Sequence, residues 1–320
     1  MSNLFSNIEA RTRLAGTNKL EILLFSLGHD ARTGRKETFG INVFKVREVM
    51  RTPEITAAPE MPDCVEGMVS LRGTLVPVVD LAKYVGIESG TPRGIMIVTE
   101  YNGHTQGFLV EAVDTILRLD WSQMRVPPEM LTAKMGGLVT AITELPDNRL
   151  VMMLDVEKVL SETAHYDEAM LFNGIEPVED DHRLVVFADD SAVARNQIER
   201  TLNVLGIEYV SAINGRRAVD ELQKIAAHAQ STGRSVRDLV SVILTDVEMP
   251  EMDGYILTKT IKSDSRFAGI PVVMHSSLSG MSNQTLGKSV GVDEYVSKFE
   301  PQRLAATLRR MIAESRPDRK

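Results

Sequence analysis

The amino-acid sequence predicts a chain of two domains, an all-β domain followed by an α/β domain with a doubly wound parallel sheet. The chain has 320 residues, and domains average about 150 residues, so two domains are expected. Up to residue 165 or so, short runs rich in Val, Ile, Leu and Phe alternate with turns. Beyond residue 180, apolar runs alternate with amphipathic segments. The first pattern is typical of a β-barrel or sandwich, and the second of a parallel sheet covered by helices.

The first half carries eight predicted strands. Turn residues separate them, and the pair Arg72-Gly73 between two apolar runs predicts a tight hairpin. Residues 155–163 are predicted to be helical. The predicted strands are residues 20–27, 38–43, 65–71, 74–79, 94–99, 107–113, 138–144 and 150–154.

The second half has strands without polar alternation, which indicates a sheet buried on both faces and therefore parallel. Helices between them show apolar residues at helical spacing. Residues between the halves include Pro177 and an acidic run at 179–181, which predict a linker. The predicted strands are residues 184–188, 207–212, 242–245, 271–275 and 291–296, and the predicted helices 191–205, 216–229 and 301–314.

Composition excludes several classes of protein. The formal net charge of −8 disfavours nucleic acid as a partner, because nucleic-acid binders are more often basic. The single cysteine, Cys64, rules out an intrachain disulfide. Apolar runs all fall short of the roughly 20 residues that span a bilayer, and the N-terminus lacks the pattern of a signal peptide. We therefore expect a cytoplasmic protein without direct membrane insertion.

Acidic side chains follow two of the predicted parallel strands. Asp189 and Asp190 follow residues 184–188, and Asp246 follows residues 242–245. Ligands of doubly wound sheets bind at the carboxyl ends of the strands, so these carboxylates should converge. Like charges oppose one another's ionisation, whereas Mg²⁺ binds carboxylates and recruits phosphate oxygens. One of the carboxylates could then attack phosphorus, since aspartyl-phosphates are known intermediates.

Two further strand ends supply polar groups that suit a phosphoryl group. Ser276 follows residues 271–275, and Lys298 follows residues 291–296. The transferred phosphoryl group carries negative charge on three oxygens, which a hydroxyl donor and an ammonium group stabilise. Successive strand ends thus predict a nucleophile, a hydroxyl and a cation at one edge of the sheet.

This constellation resembles the receiver domain of two-component response regulators over residues 182–315. The resemblance implies that Asp246 accepts phosphate from a histidine kinase and that Asp190 and Asp246 bind Mg²⁺. It also places Asp189 nearby and makes the main-chain carbonyl of Glu248 a further ligand. Ser276 and Tyr295 match the switch pair of that family. Two residues depart from its pattern, Phe299 where proline usually follows the lysine and the acidic Glu248 where a neutral residue is common.

Segments of the first half resemble the CheW-type chemotaxis coupling domain over residues 15–163. The matching runs are FGINVFKVREV at 39–49, VEGMVSLRG at 65–73 and VPVVDL at 76–81. The resemblance implies two SH3-like β-barrels that bridge transmembrane chemoreceptors and the histidine kinase CheA. Positions near partner surfaces in that family match Val46, Glu48, Gly67 and Arg72. For Val46, packing in the core is the alternative.

A coupling domain at 15–163, a linker at 164–181 and a receiver at 182–315 together resemble CheV-type chemotaxis proteins. The resemblance implies a scaffold at membrane-associated receptor arrays, modulated by phosphorylation of Asp246, acting in adaptation or as a phosphate sink. It implies a signalling adaptor rather than an enzyme. Two alternatives remain open, a Mg²⁺-dependent phosphohydrolase using Asp246 and a degenerate receiver that acts only as a binding module.

Overall fold

A computed structural model describes residues 19–29, 34, 36–87, 93–101, 104–163, 171–178, 182–276, 281–298 and 300–315. The chain divides into two compact units, Leu20–His165 and a second that includes Tyr166–Lys320. Parts of the expected domain and linker ranges, residues 15–18, 164–170 and 179–181, lie outside the described residues, as does Phe299.

The first unit is built from two five-stranded sheets. Their spatial orders are β8-β1-β2-β10-β9 and β3-β6-β7-β5-β4. Each sheet has its own apolar core, one around Ile22 and Trp121, the other around Val78 and Met96. In chain order the strands are β1 Lys19–Ser26, β2 Thr38–Asn42, β3 Val46–Arg51, β4 Val65–Leu71, β5 Thr74–Asp80, β6 Ile95–Tyr101, β7 His104–Val110, β8 Ala112–Asp120, β9 Val139–Glu144 and β10 Leu150–Leu154.

Both sheets close on themselves. Beyond the edge strand β8, Arg125 exchanges two backbone hydrogen bonds of 2.8 Å with Ile142 in the opposite edge strand. In the second sheet, Thr56 beyond β3 exchanges bonds of 2.9 and 2.8 Å with Met68 of β4. Pairing one edge with the other removes exposed strand edges. The unit is therefore a pair of small β-barrels, as the sequence resemblance implied.

Each barrel sends one strand directly into a helix through a buried aspartate. Asp80 ends β5 and accepts hydrogen bonds from the amides of Ala82 and Lys83 at the start of helix α1, Leu81–Val85. Asp155 follows β10 and caps helix α3, Val156–Thr163, in the same way. Burial raises the pKa of the Asp80 carboxyl. Helix α2, Glu129–Lys134, completes the unit.

The second unit is a five-stranded sheet with the order β12-β11-β13-β14-β15, and every neighbouring pair is parallel. It is the doubly wound sheet that the sequence predicted. Its strands are β11 Leu184–Ala188, β12 Tyr209–Ala212, β13 Val240–Thr245, β14 Val272–Ser276 and β15 Glu294–Ser297. Its helices are α4 Ala192–Leu205, α5 Gly215–Ser231, α6 Gly254–Ser263, α7 Met281–Val290 and α8 Pro301–Glu314.

Apolar layers cover both faces of this sheet. One layer joins the sheet to α5 and α6, with Leu222 and Leu257 at its centre. The other joins the sheet to α4 and α8, with Leu202 and Leu308 fully buried. Strands β11 and β13 contribute to both layers, which explains why their sequences lack polar alternation.

Six elements were not predicted from the sequence, namely β3, β8, α1, α2, α6 and α7. Strand β8 has an exposed central stretch, so it lacks a clear apolar period, and α1 is only five residues long. Within the predicted linker, Ile175 and Val178 pack against the core of the second unit. Among the described residues, no helix has the length and apolar character to cross a membrane.

Candidate functional site

Two carboxylates meet because β11 and β13 are neighbours in the sheet. Asp189 follows β11 and Asp246 follows β13, and the Asp246 amide donates to the Ala188 carbonyl at 2.8 Å. Asp190 lies beside them. One carboxylate oxygen from each of the three aspartates lies within 4.8 Å of the other two. The convergence expected from the sequence is therefore present in the structure.

Lys298 lies between two of these acids. Its Nζ is 2.9 Å from Asp189 Oδ2 and 2.9 Å from Asp246 Oδ2. The lysine side chain is only 2% exposed, and both partner carboxylates are buried. A buried ammonium is tolerated only when it is paired, so the two acids and the lysine depend on one another.

Local backbone contacts fix the direction of both carboxylates. Asp189 Oδ1 accepts from the Ser191 amide at 2.9 Å, at the start of α4. Asp246 Oδ1 accepts from the Val247 amide at 2.6 Å. The loop after Asp246 then folds back, and a Cβ added to Gly254 would lie 1.9 Å from the Asp246 carbonyl oxygen. Only glycine fits at this position.

Arg195 was not among the residues predicted from the sequence. Its guanidinium donates from Nη1 to the carbonyl of Asp189 at 2.8 Å and to the carbonyl of Asp190 at 2.9 Å. Arg195 lies in the first turn of α4, so its side chain reaches back over the loop that carries both acids. The sequence shows an arginine at this position, but it does not show that the side chain points back to the loop.

Ser276 and Tyr295 lie on neighbouring strands. Ser276 ends β14, is 2% exposed, and pairs in register with Ser297 of β15. Tyr295 is half-buried, and its hydroxyl is 3.3 Å from the hydroxyl of Tyr255 on α6. Burial raises the pKa of Tyr295 above its usual range and raises that of Tyr255 to about 12. The contact between the two tyrosines was not predicted.

The chemistry of the acidic cluster fits a divalent cation. Asp189, Asp190 and Asp246 carry three negative charges and Lys298 one positive charge, which leaves −2 when all are ionised. Mg²⁺ would balance this charge, and carboxylate oxygens are the ligands it prefers. Glu248, whose carbonyl was the further predicted ligand, lies two residues after Asp246 and is half-buried.

The structure separates the four predicted partner-binding residues of the first unit. Arg72 Nη2 donates to Glu48 Oε2 at 3.0 Å, so these two form an ion pair at the surface. Val46 is only 6% exposed, in agreement with the alternative of core packing. Gly67 has a φ of 137°, and a Cβ there would lie 2.1 Å from the Thr56 carbonyl oxygen. Neither Val46 nor Gly67 offers a side chain for contact with a partner.

Comparison with known proteins agrees with this architecture. A family model described as a CheW-like domain matches residues 21–164, and one described as a response regulator receiver domain matches residues 185–309. Chemotaxis protein CheV3 of Helicobacter pylori is 30% identical and covers 86% of this chain and 88% of its own length. CheV1 of the same organism is 26% identical, over 98% of this chain and 99% of that protein. Chemotaxis protein CheW of Klebsiella aerogenes is 31% identical over 47% of this chain and 87% of its own length.

The fold, the acidic site and these matches define a two-domain chemotaxis signalling protein, in which a coupling domain precedes a receiver domain. The chain belongs to the CheV family of chemotaxis proteins.

Proposed function

We propose that this protein is a coupling scaffold between chemoreceptors and the histidine kinase CheA, and that phosphorylation of Asp246 modulates the coupling. The observation that carries the proposal is the buried pairing of Lys298 with Asp246, at 2.9 Å, beside two further carboxylates. Residues 15–163 would form the coupling domain, 182–315 the receiver and 164–181 the connection. The cytoplasmic face of receptor arrays is the corresponding location.

The phosphoryl transfer follows from the positions of the site residues. A carboxylate oxygen of Asp246 attacks phosphorus, the bond between phosphorus and the donor atom breaks, and the donor keeps the bonding electrons. Lys298, already beside Asp246, neutralises a phosphoryl oxygen. The hydroxyl of Ser276 donates a hydrogen bond to another. Tyr295 would then change its packing as the switch partner of Ser276.

Asp189, Asp190 and Asp246, with the carbonyl of Glu248, would hold Mg²⁺. Bound Mg²⁺ supplies charge neutralisation for the attacking carboxylate and the phosphoryl oxygens. Arg195 serves as a positioning residue, because it holds the two carbonyls of the loop from which Asp189 and Asp190 project. Gly254 allows the loop after Asp246 to pass close to its carbonyl.

In the coupling domain we assign the partner contact to Arg72 and Glu48. Arg72 is at a hairpin tip with its side chain 72% exposed, whereas the Glu48 side chain is 22% exposed. Arginine is enriched in the energetic centres of protein interfaces. The partners would be the receptor and CheA, and Val46 and Gly67 would shape this surface from within rather than contact the partner.

The test of the receiver is labelling from phosphorylated histidine kinase, with and without Mg²⁺. We expect Mg²⁺-dependent label on the full chain, loss of the label in Asp246→Asn, and normal label in Asp220→Asn, which changes a helix acid outside the site. Label that persists in Asp246→Asn would refute the assignment of the site. A wild-type chain without label under any donor would indicate the degenerate receiver.

The phosphohydrolase is tested on the same preparations. We expect transfer to Asp246 once per chain, with at most slow release of phosphate. Sustained turnover of small phosphate esters, lost in Asp246→Asn, would establish an enzyme in place of the adaptor.

A further inference from the structure

Residues 171–178, which we call the docking segment, lie against helices α4 and α8 of the receiver. The Val178 amide donates to the Leu205 carbonyl at the end of α4, at 2.9 Å. Gln302 Nε2, in the first turn of α8, donates to the Asn173 carbonyl at 3.0 Å. Further along α8, Arg309 Nη1 lies 3.3 Å from Glu176 Oε2, and its Nη2 donates to the Glu176 carbonyl. The segment is therefore bound by both helices at once.

Apolar contacts accompany these polar ones. Ile175 and Val178 pack against the apolar layer that joins the sheet to α4 and α8. The guanidinium of Arg200 on α4 stacks on the ring of Phe172, 4.5 Å from its centroid. The segment thus covers an apolar surface between the two helices. These contacts lie within residues 164–181, for which the sequence predicted a linker.

Both helices that bind the segment begin beside the acidic site. Helix α4 starts at Ala192, directly after Asp189, Asp190 and the capping Ser191. Helix α8 starts at Pro301, three residues after Lys298. With a rise of 1.5 Å per residue, α4 reaches about 21 Å from the site to its contact with Val178. A displacement of either helix start would reach the docking surface, because packed helices move as units.

We propose that the face of α4 and α8 is an internal binding surface for residues 171–178 and that phosphorylation of Asp246 releases the segment; this rests on the proposed function. In the unphosphorylated chain Lys298 pairs with both Asp189 and Asp246. A phosphoryl group on Asp246 offers Lys298 new oxygens, so Nζ moves away from its present position. The start of α8 moves together with Lys298, and its position relative to α4 changes. The docking segment, which contacts both helices, can then no longer keep both sets of contacts.

Release has a direct consequence for the connection between the domains. In chain order, the coupling domain is followed by residues 164–170, then by the docking segment and then by the receiver. Eight released residues add up to about 28 Å of reach to that connection. Phosphorylation would thereby change the distance over which the receiver can act on the coupling domain or on what it binds.

The contacts of the segment suit a switch. Gln302, Asn173 and Glu176 are exposed, and Ile175 and Val178 are only partly buried. Exposed polar contacts contribute little to stability. A small shift in helix position is therefore sufficient to undo the docking, whereas a fully buried segment would resist it.

The test is hydrogen exchange of the full chain followed by mass spectrometry, with and without Mg²⁺ and an acyl phosphate. The phosphorylated fraction is measured on the same samples. We expect exchange in the peptide containing Val178 to become at least about fivefold faster on phosphorylation, the lower end of usual allosteric couplings. Asp246→Asn should show no change on addition of the donor.

The two proposals fail in distinguishable ways. Normal phosphorylation with unchanged exchange at Val178 would overturn the docking switch and leave the proposed function intact. Absence of phosphorylation would overturn the proposed function and the switch with it.

Variants test the reciprocal effect, since docking and phosphorylation must influence each other equally. Ile175→Ser should exchange fast without phosphate and reach a higher phosphorylated fraction at limiting donor. Arg309→Gln provides a milder second variant on the receiver surface. The matched control is Arg303→Gln on the same helix, since Arg303 pairs with Glu300 rather than with the segment. A phosphorylated fraction equal to that of the control in both variants would overturn the linkage.

Discussion

The ammonium of Lys298 lies 2.9 Å from the carboxylate of Asp246, and each is almost fully buried. The same ammonium reaches Asp189 at an equal distance. An ion pair removed from water is retained only when its partners satisfy one another. Lys298 therefore opposes the mutual repulsion of the acids before any metal binds, and it competes with a metal for the same oxygens.

The competition predicts opposite effects on metal binding and phosphoryl transfer. Lys298→Met should tighten Mg²⁺ binding by about tenfold, equivalent to about 1.4 kcal/mol, because two carboxylates lose their internal cation. The same substitution should slow labelling from acyl phosphate by at least about a hundredfold, the lower end of losses when a positioned charge is removed. Titration calorimetry and label kinetics measure the two effects. Lys288→Met on α7 is the control, and weaker Mg²⁺ binding in Lys298→Met would contradict the competition.

Removing an acid from the cluster should weaken Mg²⁺ binding, whereas removing the lysine should strengthen it. Asp190→Asn takes one charge from the cluster and leaves the ion pairs of Lys298 in place. We expect Mg²⁺ affinity to fall by about tenfold, again equivalent to about 1.4 kcal/mol. Calorimetry on Asp220→Asn, an acid of α5 outside the cluster, provides the comparison. Equal affinity in the two variants would remove Asp190 from the metal site.

Removing the ion pair of Arg72 and Glu48 should weaken partner binding without changing the stability of the fold. Exposed pairs contribute about 0.2–1 kcal/mol, so Arg72→Ala should leave the unfolding midpoint nearly unchanged. Its co-sedimentation with receptor membranes and CheA should fall by at least about fivefold, as expected for an interface arginine that costs more than 1 kcal/mol. Arg118→Ala, which removes a similar surface pair with Glu21 in the other barrel, should co-sediment normally. Equal co-sedimentation of both variants would exclude an Arg72 contact.

Gly67 should prove structural rather than a contact residue. An alanine Cβ would lie 2.1 Å from the Thr56 oxygen at a φ of 137°. We expect Gly67→Ala to cost more than about 4 kcal/mol, the range that marks a specific steric conflict. Gly73→Ala has open space and only a positive φ, so it should cost about 1–2 kcal/mol. Fluorescence of Trp121, the single tryptophan, reports denaturant unfolding of this unit.

The tyrosine pair predicts an alkaline titration. Burial disfavours the phenolate of Tyr255, so its pKa rises to about 12. Subtracting the ultraviolet titration of Tyr255→Phe from that of the wild type should leave a phenolate signal with this midpoint. Because the unfolded pKa is about 10, the contribution of Tyr255 to stability is complete below pH 10 and is lost as pH rises through 12. A difference signal with a midpoint near pH 10 would contradict burial of this hydroxyl.

Much of the acidic site was predictable because one rule of topology governs it. Parallel strands bring their carboxyl ends to one edge, so polar residues that end β11, β13 and β14 must meet there. What the rule does not supply is the pairing within the cluster. From the sequence, Lys298 was expected to stabilise the phosphoryl group. Only the tertiary structure shows that it also bridges Asp189 and Asp246.

The sequence missed those site residues whose role depends on the direction of the side chain. Arg195 bends back to two carbonyls of the preceding loop, and Tyr255 meets Tyr295 from a position 40 residues away. Val46 and Gly67 belong to strands whose inward and outward faces depend on register. The sequence predicted the strand that carries Gly67 but not the strand that carries Val46, and for neither residue did it show which side of the strand is buried.

Local patterns in the sequence indicate most of the strands and helices, the two-domain division and the residues of the acidic cluster. These patterns are apolar runs, turn residues and strand ends. These patterns act over a few residues, so they survive without knowledge of the fold. The docking of residues 171–178 depends instead on a surface built by two helices far apart in the chain, α4, which ends at Leu205, and α8, which begins at Pro301. The sequence here predicted a linker, and only the packing of distant helices provides the surface that Ile175 and Val178 cover.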